Sequence, residues 1–419
     1  MVKYALRTSD GLDSEQLDAT QPTVSQTWAG MVTMGMQQIP LLEMPTQGFP
    51  VTPELALRGR PNTVALTPEV TELLDRNAVV AVGVSGGKDS DACAIAVDRY
   101  LNDIGHTGPR CLIHADLGMV EWGSSLAGCQ RLAVRLGWEL LVVKRAAGGL
   151  MERWEARWAR CVERYENLEC VKLILPWSTP AMRFCTSELK SDVITSHLKK
   201  RYPSQDIINV TGVRRQESTT RARMAVSSTT AKLSRKKTKG ITWNAIIEWP
   251  VEDVVYAIVN AGLELHEAYT RYGNSRVSCC YCVLSSLADL QASASCPDNQ
   301  VIYVRMVELE VKSGYGFQGN RWLADVAPHL LTEELRSRVV LSKQMAAARA
   351  RVEAELHKHL LFAKGWPTTM PTREEAELIA SVRRRVSDIQ QLNAKFITGP
   401  EVLERYAHLI AEGKRRKAT

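Results

Sequence analysis

Six consecutive residues, Ser85-Gly86-Gly87-Lys88-Asp89-Ser90, bring two glycines, two hydroxyls, a cation and a carboxylate to the end of the apolar run "AVVAVGV". These are the parts of an anion cradle. Glycines let backbone N–H groups approach phosphate oxygens closely. A helix beginning just after the turn adds its dipole and unsatisfied N–H groups. Ser85 and Ser90 offer hydroxyls, and Lys88 offers a compensating charge. The turn is not a Walker A loop, which needs Gly, four residues, then Gly-Lys-Ser/Thr. Val82 occupies the first glycine position, and Asp89 stands where the magnesium-binding hydroxyl would be. Chemistry at a β–γ phosphate bond is therefore disfavoured.

A second group is sulfur-rich. The segment "SCCYCVLSSLADLQASASCP" supplies Cys279, Cys280, Cys282 and Cys296, and Cys279-x-x-Cys282 has metal-ligand spacing. Thiolates of this kind hold a [4Fe–4S] cluster or close a structural zinc site. The third reading is metal-free core thiols. Five other cysteines, Cys93, Cys111, Cys129, Cys161 and Cys170, are scattered singly and read as small buried hydrophobes.

The elements that must position these residues alternate. "AVVAVGV" is a buried strand, 88–102 a helix, "RCLIHAD" a second strand and 124–136 a second helix. "ELLVVK" is a third strand and 150–166 a Trp- and Arg-rich helix. "SELKSDVITSHLKKRY" is another helix and "DIINVTG" another strand. This order predicts an α/β fold, doubly wound, with a mostly parallel sheet. Asp116 then lies at a strand C-terminal end, where open α/β sheets bind ligands. His114, two residues earlier, reads equally as a ligand or a packed strand residue.

The chain divides into an irregular extension over 1–65, a nucleotide-binding domain over 66–275, a Cys-rich segment over 276–300 and a helical C-terminal region over 301–419. Residues 214–240 carry nine Lys or Arg and one Glu. They read as a mobile basic loop, first as a lid over an anionic nucleotide and second as a nucleic-acid contact. No aromatics interleave there for base stacking, since Trp243 stands alone at its end. The charge-mixed C-terminal helices read as a solvated bundle or a homo-oligomer surface.

Ser85 to Ser90 match the SGGxDS signature, and the chain resembles the PP-loop (adenine nucleotide α-hydrolase) superfamily. Within it the match is to the PAPS reductase-like family. "RFCTSELKSDVI" is similar to that family's Arg-x-Cys…Lys segment, with Arg183 and Lys190 as anion ligands. "VTGVRRQESTTRAR" is similar to its G-x-R-x-x-E-S…R element, filled by Gly212, Arg214, Glu217, Ser218 and Arg221. A strand ending as His114 and Asp116 do, followed by a Glu-containing loop, also fits. The resemblance covers about residues 78–290. It implies ATP or a related adenine nucleotide, with Mg2+, in a cradle of Ser85, Gly86, Gly87, Lys88, Asp89 and Ser90. It implies cleavage or activation at the α-phosphate, with Lys88, Asp89, Arg214 and Arg221 in catalytic roles. The iron–sulfur members imply Cys185 as a ligand beside Cys279, Cys282 and Cys296.

The sequence also departs from that family. Thioredoxin-dependent PAPS reductases carry a late nucleophilic cysteine, and this chain has none after Cys296. Iron–sulfur APS reductases have a Cys-Cys pair where this chain has the single Cys185. The leading expectation is α-phosphate activation for sulfur transfer, in nucleic-acid modification or a mobile-element system. The alternatives are a sulfonucleotide reductase of sulfate assimilation and a non-catalytic nucleotide-binding accessory of a nucleic-acid complex. Expected partners are the adenine nucleotide, a nucleic acid and a sulfur-donor protein.

The bulk numbers set limits on these readings. With 419 residues and 45% hydrophobic content, the chain can bury a large core. A net charge of +7 leans toward anionic partners. No apolar run approaches the ~18 residues of a membrane helix, and "MVKYALRTSDGLDSEQ" lacks an apolar signal core. The expectation is a cytoplasmic protein whose cysteines are reduced thiols.

Overall fold

Val79, Val80, Ala81 and Val82 form an unbroken apolar run. Such a strand is stable only where helices cover both faces of a parallel sheet. Val80 and Val82 join one core with Ala92 and Val97, while Val79 and Ala81 join another with Ile113 and Leu198.

This computed structural model describes residues 51–362 and 366–418. The extension expected over 1–65 lies, up to residue 50, outside the described residues. Helix α1 (Pro68–Asp75) leads into β1 (Val79–Gly83), the glycine turn and α2 (Lys88–Asp103). Then come β2 (Arg110–Asp116), α3 (Ser125–Leu136), β3 (Glu139–Lys144) and α4 (Leu150–Glu166). A short turn, α5 (Phe184–Thr186), runs into one π-helical turn, Ser187–Ser191. Next are α6 (Asp192–Arg201), β4 (Ile207–Val210), α7 (Thr219–Ala222), β5 (Ser227–Thr229) and β6 (Gly240–Trp243). The strand order is β3-β2-β1-β4-β6-β5. All pairings are parallel except β5 with β6. The fold is α/β and mostly parallel, as the alternation predicts. The chain leaves β1 toward β2 on one side and returns to β4 on the other, so the crevice where the order reverses lies at their C-terminal ends.

The segment 214–240, expected as a mobile loop, carries α7 and the edge strand β5. Thr67 and Ser227 share a hydrogen bond at 2.8 Å, and Asn244 N–H donates to the Val226 carbonyl at 2.8 Å. β5 has no apolar alternation and depends on β6 for its hydrogen bonds, which is why its pattern reads as a loop.

The chain continues through α8 (Val251–Asn260), α9 (Glu267–Thr270), α10 (Leu287–Ala294) and α11 (Gln300–Ser313). It ends in α12 (Glu333–Glu353), α13 (Arg373–Gln390) and α14 (Gly399–Ala418). These last helices do not form the separate solvated bundle that their charge suggests. One core joins Trp154, Trp158 and Tyr165 of α4 to Met306 of α11, Ile379 and Val386 of α13, and Tyr406 of α14. Fully buried Arg383 reaches across from α13 and donates to the carbonyls of Tyr165 at 2.8 Å and Glu166 at 3.1 Å. Buried Arg349, Glu353 and Arg383 apart, the described charges of α12, α13 and α14 are half-buried or exposed. Among the described residues, no helix is long and apolar enough to cross a membrane.

Candidate active site

The glycine turn is shaped by what surrounds it. Gly86 has φ +70, and a Cβ there would lie 2.7 Å from the Ser125 carbonyl oxygen. Only glycine satisfies both conditions. Gly87, in extended conformation, caps α2 without a side chain. Ser90 Oγ donates back to the Gly87 carbonyl at 2.8 Å and accepts from Ser85 N–H at 3.3 Å, which closes the turn. Gly212 packs directly onto it: a Cβ would sit 2.4 Å from the Asp89 carbonyl oxygen.

Beneath the turn lies a buried charge clamp. Lys88 Nζ is 2.9 Å from Asp89 Oδ2, and Arg214 Nε is 2.6 Å from Asp89 Oδ1. Burial alone would raise the Asp89 carboxyl, but Lys88 and Arg214 outweigh it and hold it below the usual carboxylate range. Burial works against the Lys88 charge, while Tyr269 and Asp89 keep its ammonium protonated. Lys88 also stands 5.2 Å over the Tyr269 ring. Tyr269 Oη accepts from the N–H groups of Lys88 at 3.4 Å and Val277 at 3.1 Å, which links the turn to the approach to the Cys-rich segment.

A cavity of about 320 Å³ opens where β1 and β4 end. Ser85, Gly87, Asp89 and Ser90 line one side, with Gly212, Glu217 and Arg221 from the loop after β4 and Lys190 from the π-helical turn. Ile113, Ala115, Ile194 and Val213 provide an apolar wall. Arg221 pairs with Glu217, and Glu217 also accepts from Arg214 N–H at 2.9 Å. Ser218 caps α7, accepting from Arg221 N–H at 3.2 Å.

Several expected ligands lie elsewhere. Gly86, Lys88 and Arg214 sit behind the cavity lining. Asp116 Oδ1 accepts from Gly118 N–H at 2.7 Å and closes the turn after β2. Arg183 is exposed and donates to Thr186 Oγ1 at 3.1 Å. Buried His114 holds the Val84 carbonyl at 3.0 Å and Glu121 at 3.2 Å, so it acts on the cavity through Glu121. Burial would lower the His114 imidazole, but its hydrogen bonds with Cys129 and Glu121 outweigh this and raise it.

Of the four predicted metal ligands, Cys279 feels the charges of Cys185 and Cys282. Cys185, Cys279 and Cys282 are all half-buried. Burial pushes the Cys279 thiol up to about 12, Lys190 draws it down, and the Cys282, Glu121 and Cys185 charges push it up. The same Lys190 and Glu121 line the cavity at the glycine turn. An antiparallel bridge joins Glu121 to Cys279, and Cys280 N–H donates to the Val120 carbonyl at 2.8 Å. Cys296 is buried instead and bonds to Tyr272. Cys280 donates to Asn299 Oδ1 at 2.9 Å and packs in the core.

Among the described residues, the one group with three ligand atoms within 4.8 Å of one another is His357, His359 and Glu375, not the cysteines. Cys185, Cys279 and Cys282 are soft donors of the kind that hold a [4Fe–4S] cluster or zinc. The five scattered cysteines are all buried, as their spacing predicts.

Sequence reasoning passed over Arg276, Thr211 and Tyr269. Arg276 lines the cavity from just before the cysteines, and a basic residue flanking a Cys-x-x-Cys was the available signal. Tyr269 carried none, because its role depends on a long-range approach to the turn.

Fold and cavity together define a doubly wound α/β protein with a glycine-rich strand–turn–helix and a cavity at its switch point. No family model matches the chain, and no curated protein matches its sequence. Among solved structures it is similar to a U34-tRNA thiolase NcsA from Methanococcus maripaludis, described with its [4Fe-4S] cluster. The identity is 14%, the alignment covers 67% of this chain and 88% of that chain, and the TM-score is 0.31.

Proposed function

We propose that this chain is a PP-loop enzyme that binds ATP as its Mg2+ complex and activates an acceptor at the α-phosphate. The acceptor oxygen bonds to the α-phosphorus, the α–β P–O bond breaks, and pyrophosphate leaves with its electron pair. The observation that carries this reading is the placement of Lys190, Arg221 and Arg276 around the same cavity as Ser85, Gly87 and Ser90. A triphosphate in this cavity would meet the N–H groups and hydroxyls of the turn and these three cations. Such preorganised charge is the main source of stabilisation for phosphoryl-type transition states. Asp89 holds Lys88 and Arg214 beneath the turn, and the apolar wall of Ile113, Ala115, Ile194 and Val213 suits an adenine ring.

Cys185, Cys279 and Cys282 would hold a [4Fe–4S] cluster, which would supply a sulfide-binding centre beside the nucleotide. The residues then divide the work. The turn and the cations orient the phosphates, and Glu121 separates them from the thiols. Sulfur transfer to the activated acceptor is the reaction class that uses both halves.

The test is product analysis with ATP and the anaerobically purified protein. AMP and pyrophosphate support the reading, and ADP with phosphate overturns it. Nucleotide binding without any product identifies the accessory role. Sulfite release from PAPS or APS with a thiol reductant identifies the sulfonucleotide reductase.

A further inference from the structure

Helix α4 sorts its charges by face. Glu155 on one side pairs with Arg305 of α11 at 2.7 Å. The other side carries Arg153, Arg157, Arg160 and Arg164, which with Arg145 and the single acid Glu188 line a groove of about 610 Å³. Five arginines against one glutamate leave 5 − 1 = +4 on this surface. Like charges at i,i+4 destabilise a helix, and the stripe holds two such pairs, 153/157 and 160/164. A face that costs the free protein stability in this way gains from a polyanion.

The groove is a built surface. Arg153 and Arg157 stand over the Phe184 ring, with guanidinium carbons 4.7 and 5.0 Å from its centroid. Arg153 is held by Glu188 at 2.7 and 3.1 Å, and Arg157 donates to the Leu175 carbonyl at 2.9 Å. Arg164 donates to the Glu169 carbonyl at 3.0 Å. Guanidinium groups held in place by such contacts suit phosphate oxygens. Length separates a polymer from a small anion. Eleven residues of helix separate Arg153 from Arg164, about 16 Å at 1.5 Å per residue. One strand of a duplex presents a phosphate about every 3.4 Å along its axis, so the stripe spans about five phosphates.

The groove also borders the candidate active site. The π-helical turn Ser187–Ser191 presents Glu188 to the arginines and Lys190 to the cavity. Cys185 lies just before this turn, and Met182 lines the groove.

We infer that the arginine face of α4 is the docking track for the phosphodiester backbone of a nucleic-acid acceptor, and that the basic segment 214–240 is not. This extends the proposed function by naming the class of acceptor, and it rests on that reading only for the acceptor's fate.

The experiment is equilibrium binding by fluorescence anisotropy across a salt series. The probes are a labelled RNA stem-loop and a DNA duplex of the same sequence. The expected result is salt-dependent binding of at least one probe, and the tighter one names the acceptor's type. In Arg157→Gln/Arg160→Gln/Arg164→Gln, affinity falls at least about tenfold and the log–log salt slope shrinks by about 3. Arg160→Glu, an exposed single change that relieves the 160/164 repulsion, weakens binding in the same direction with a thermal midpoint no lower than the parent's. Lys236→Gln/Lys237→Gln binds as the parent does.

The inference is overturned if neither probe binds, if the arginine variants bind as the parent does, or if only the lysine variant loses affinity. It is also overturned if pyrophosphate displaces the probe as effectively as unlabelled polymer. ATP products are measured on the same samples. Probe binding without pyrophosphate release sinks the nucleotide reading alone, and pyrophosphate release without probe binding sinks the track alone.

Discussion

Arg214 Nε meets Asp89 Oδ1 at 2.6 Å although the two residues are 125 positions apart. The contact fastens the loop after β4 to the first turn of α2, and Lys88 takes the other carboxylate oxygen. In Asp89→Asn the amide can serve only one of the two cations as an acceptor. An uncompensated buried charge costs about 3–5 kcal/mol, so the thermal midpoint drops sharply. Pyrophosphate formation falls by at least about a hundredfold. Calorimetry and product analysis check both, and a variant with parental stability would remove the clamp from the account.

Gly212→Ala drives a methyl into the Asp89 carbonyl, 2.4 Å from its oxygen and 2.6 Å from its carbon. Backbone on both sides leaves little room to yield. The expected cost is about 1–3 kcal/mol of stability, with nucleotide binding lost by titration calorimetry. Gly123→Ala, where the nearest atom is 3.9 Å away, is the matched control and should be neutral.

Iron content separates the cysteines. After anaerobic reconstitution, Cys185→Ser, Cys279→Ser and Cys282→Ser should each lose most of the bound iron and sulfide and the visible absorption of a cluster. Cys296→Ser, whose thiol bonds to Tyr272, and Cys280→Ser, whose thiol bonds to Asn299, should retain them. Equal iron in all five variants, or none in the parent, would refute the assignment.

How much of this was legible in the sequence depended on how local each cause was. Val79 to Ser90 announced a strand, a turn and a helix because apolar run, glycines and helix start are contiguous. The Cys-x-x-Cys spacing likewise pointed to Cys279 and Cys282. Cys185 came only from the family resemblance, and it lies just before a π-helical turn that no periodicity reveals. Arg276 flanks the Cys-rich segment, a signal available in the sequence, but its place in the same cavity lining as Ser85 shows only in the fold. The apolar stripe of Trp154, Trp158 and Tyr165 was visible in α4, but it could have served any partner helix. Only the fold shows that α11, α13 and α14 cover it.

Asp91 gives the pH dependence a definite sign. Burial pushes its carboxyl up to about 7, the Asp89 charge adds to this, and Ser90 and Arg131 oppose it. The folded chain therefore keeps a proton that the unfolded chain releases at about pH 4. Stability falls as pH rises from about 4 to about 7 and is flat above that for this group. Asp91→Asn should remove this decline, so its thermal midpoint gains on the parent across that window. Glu310, also pushed up to about 7 by burial, remains in both proteins, so the difference isolates Asp91. A constant difference across the window would show that Asp91 titrates normally.

The bridge between Glu121 and Cys279 has a consequence for the economy of the cell. On the proposed function, the nucleotide cavity and the thiols share this piece of backbone. Oxidation at Cys279 would then be felt at Glu121 in the cavity lining, and a damaged copy would fall silent where an enzyme with independent halves would go on hydrolysing ATP.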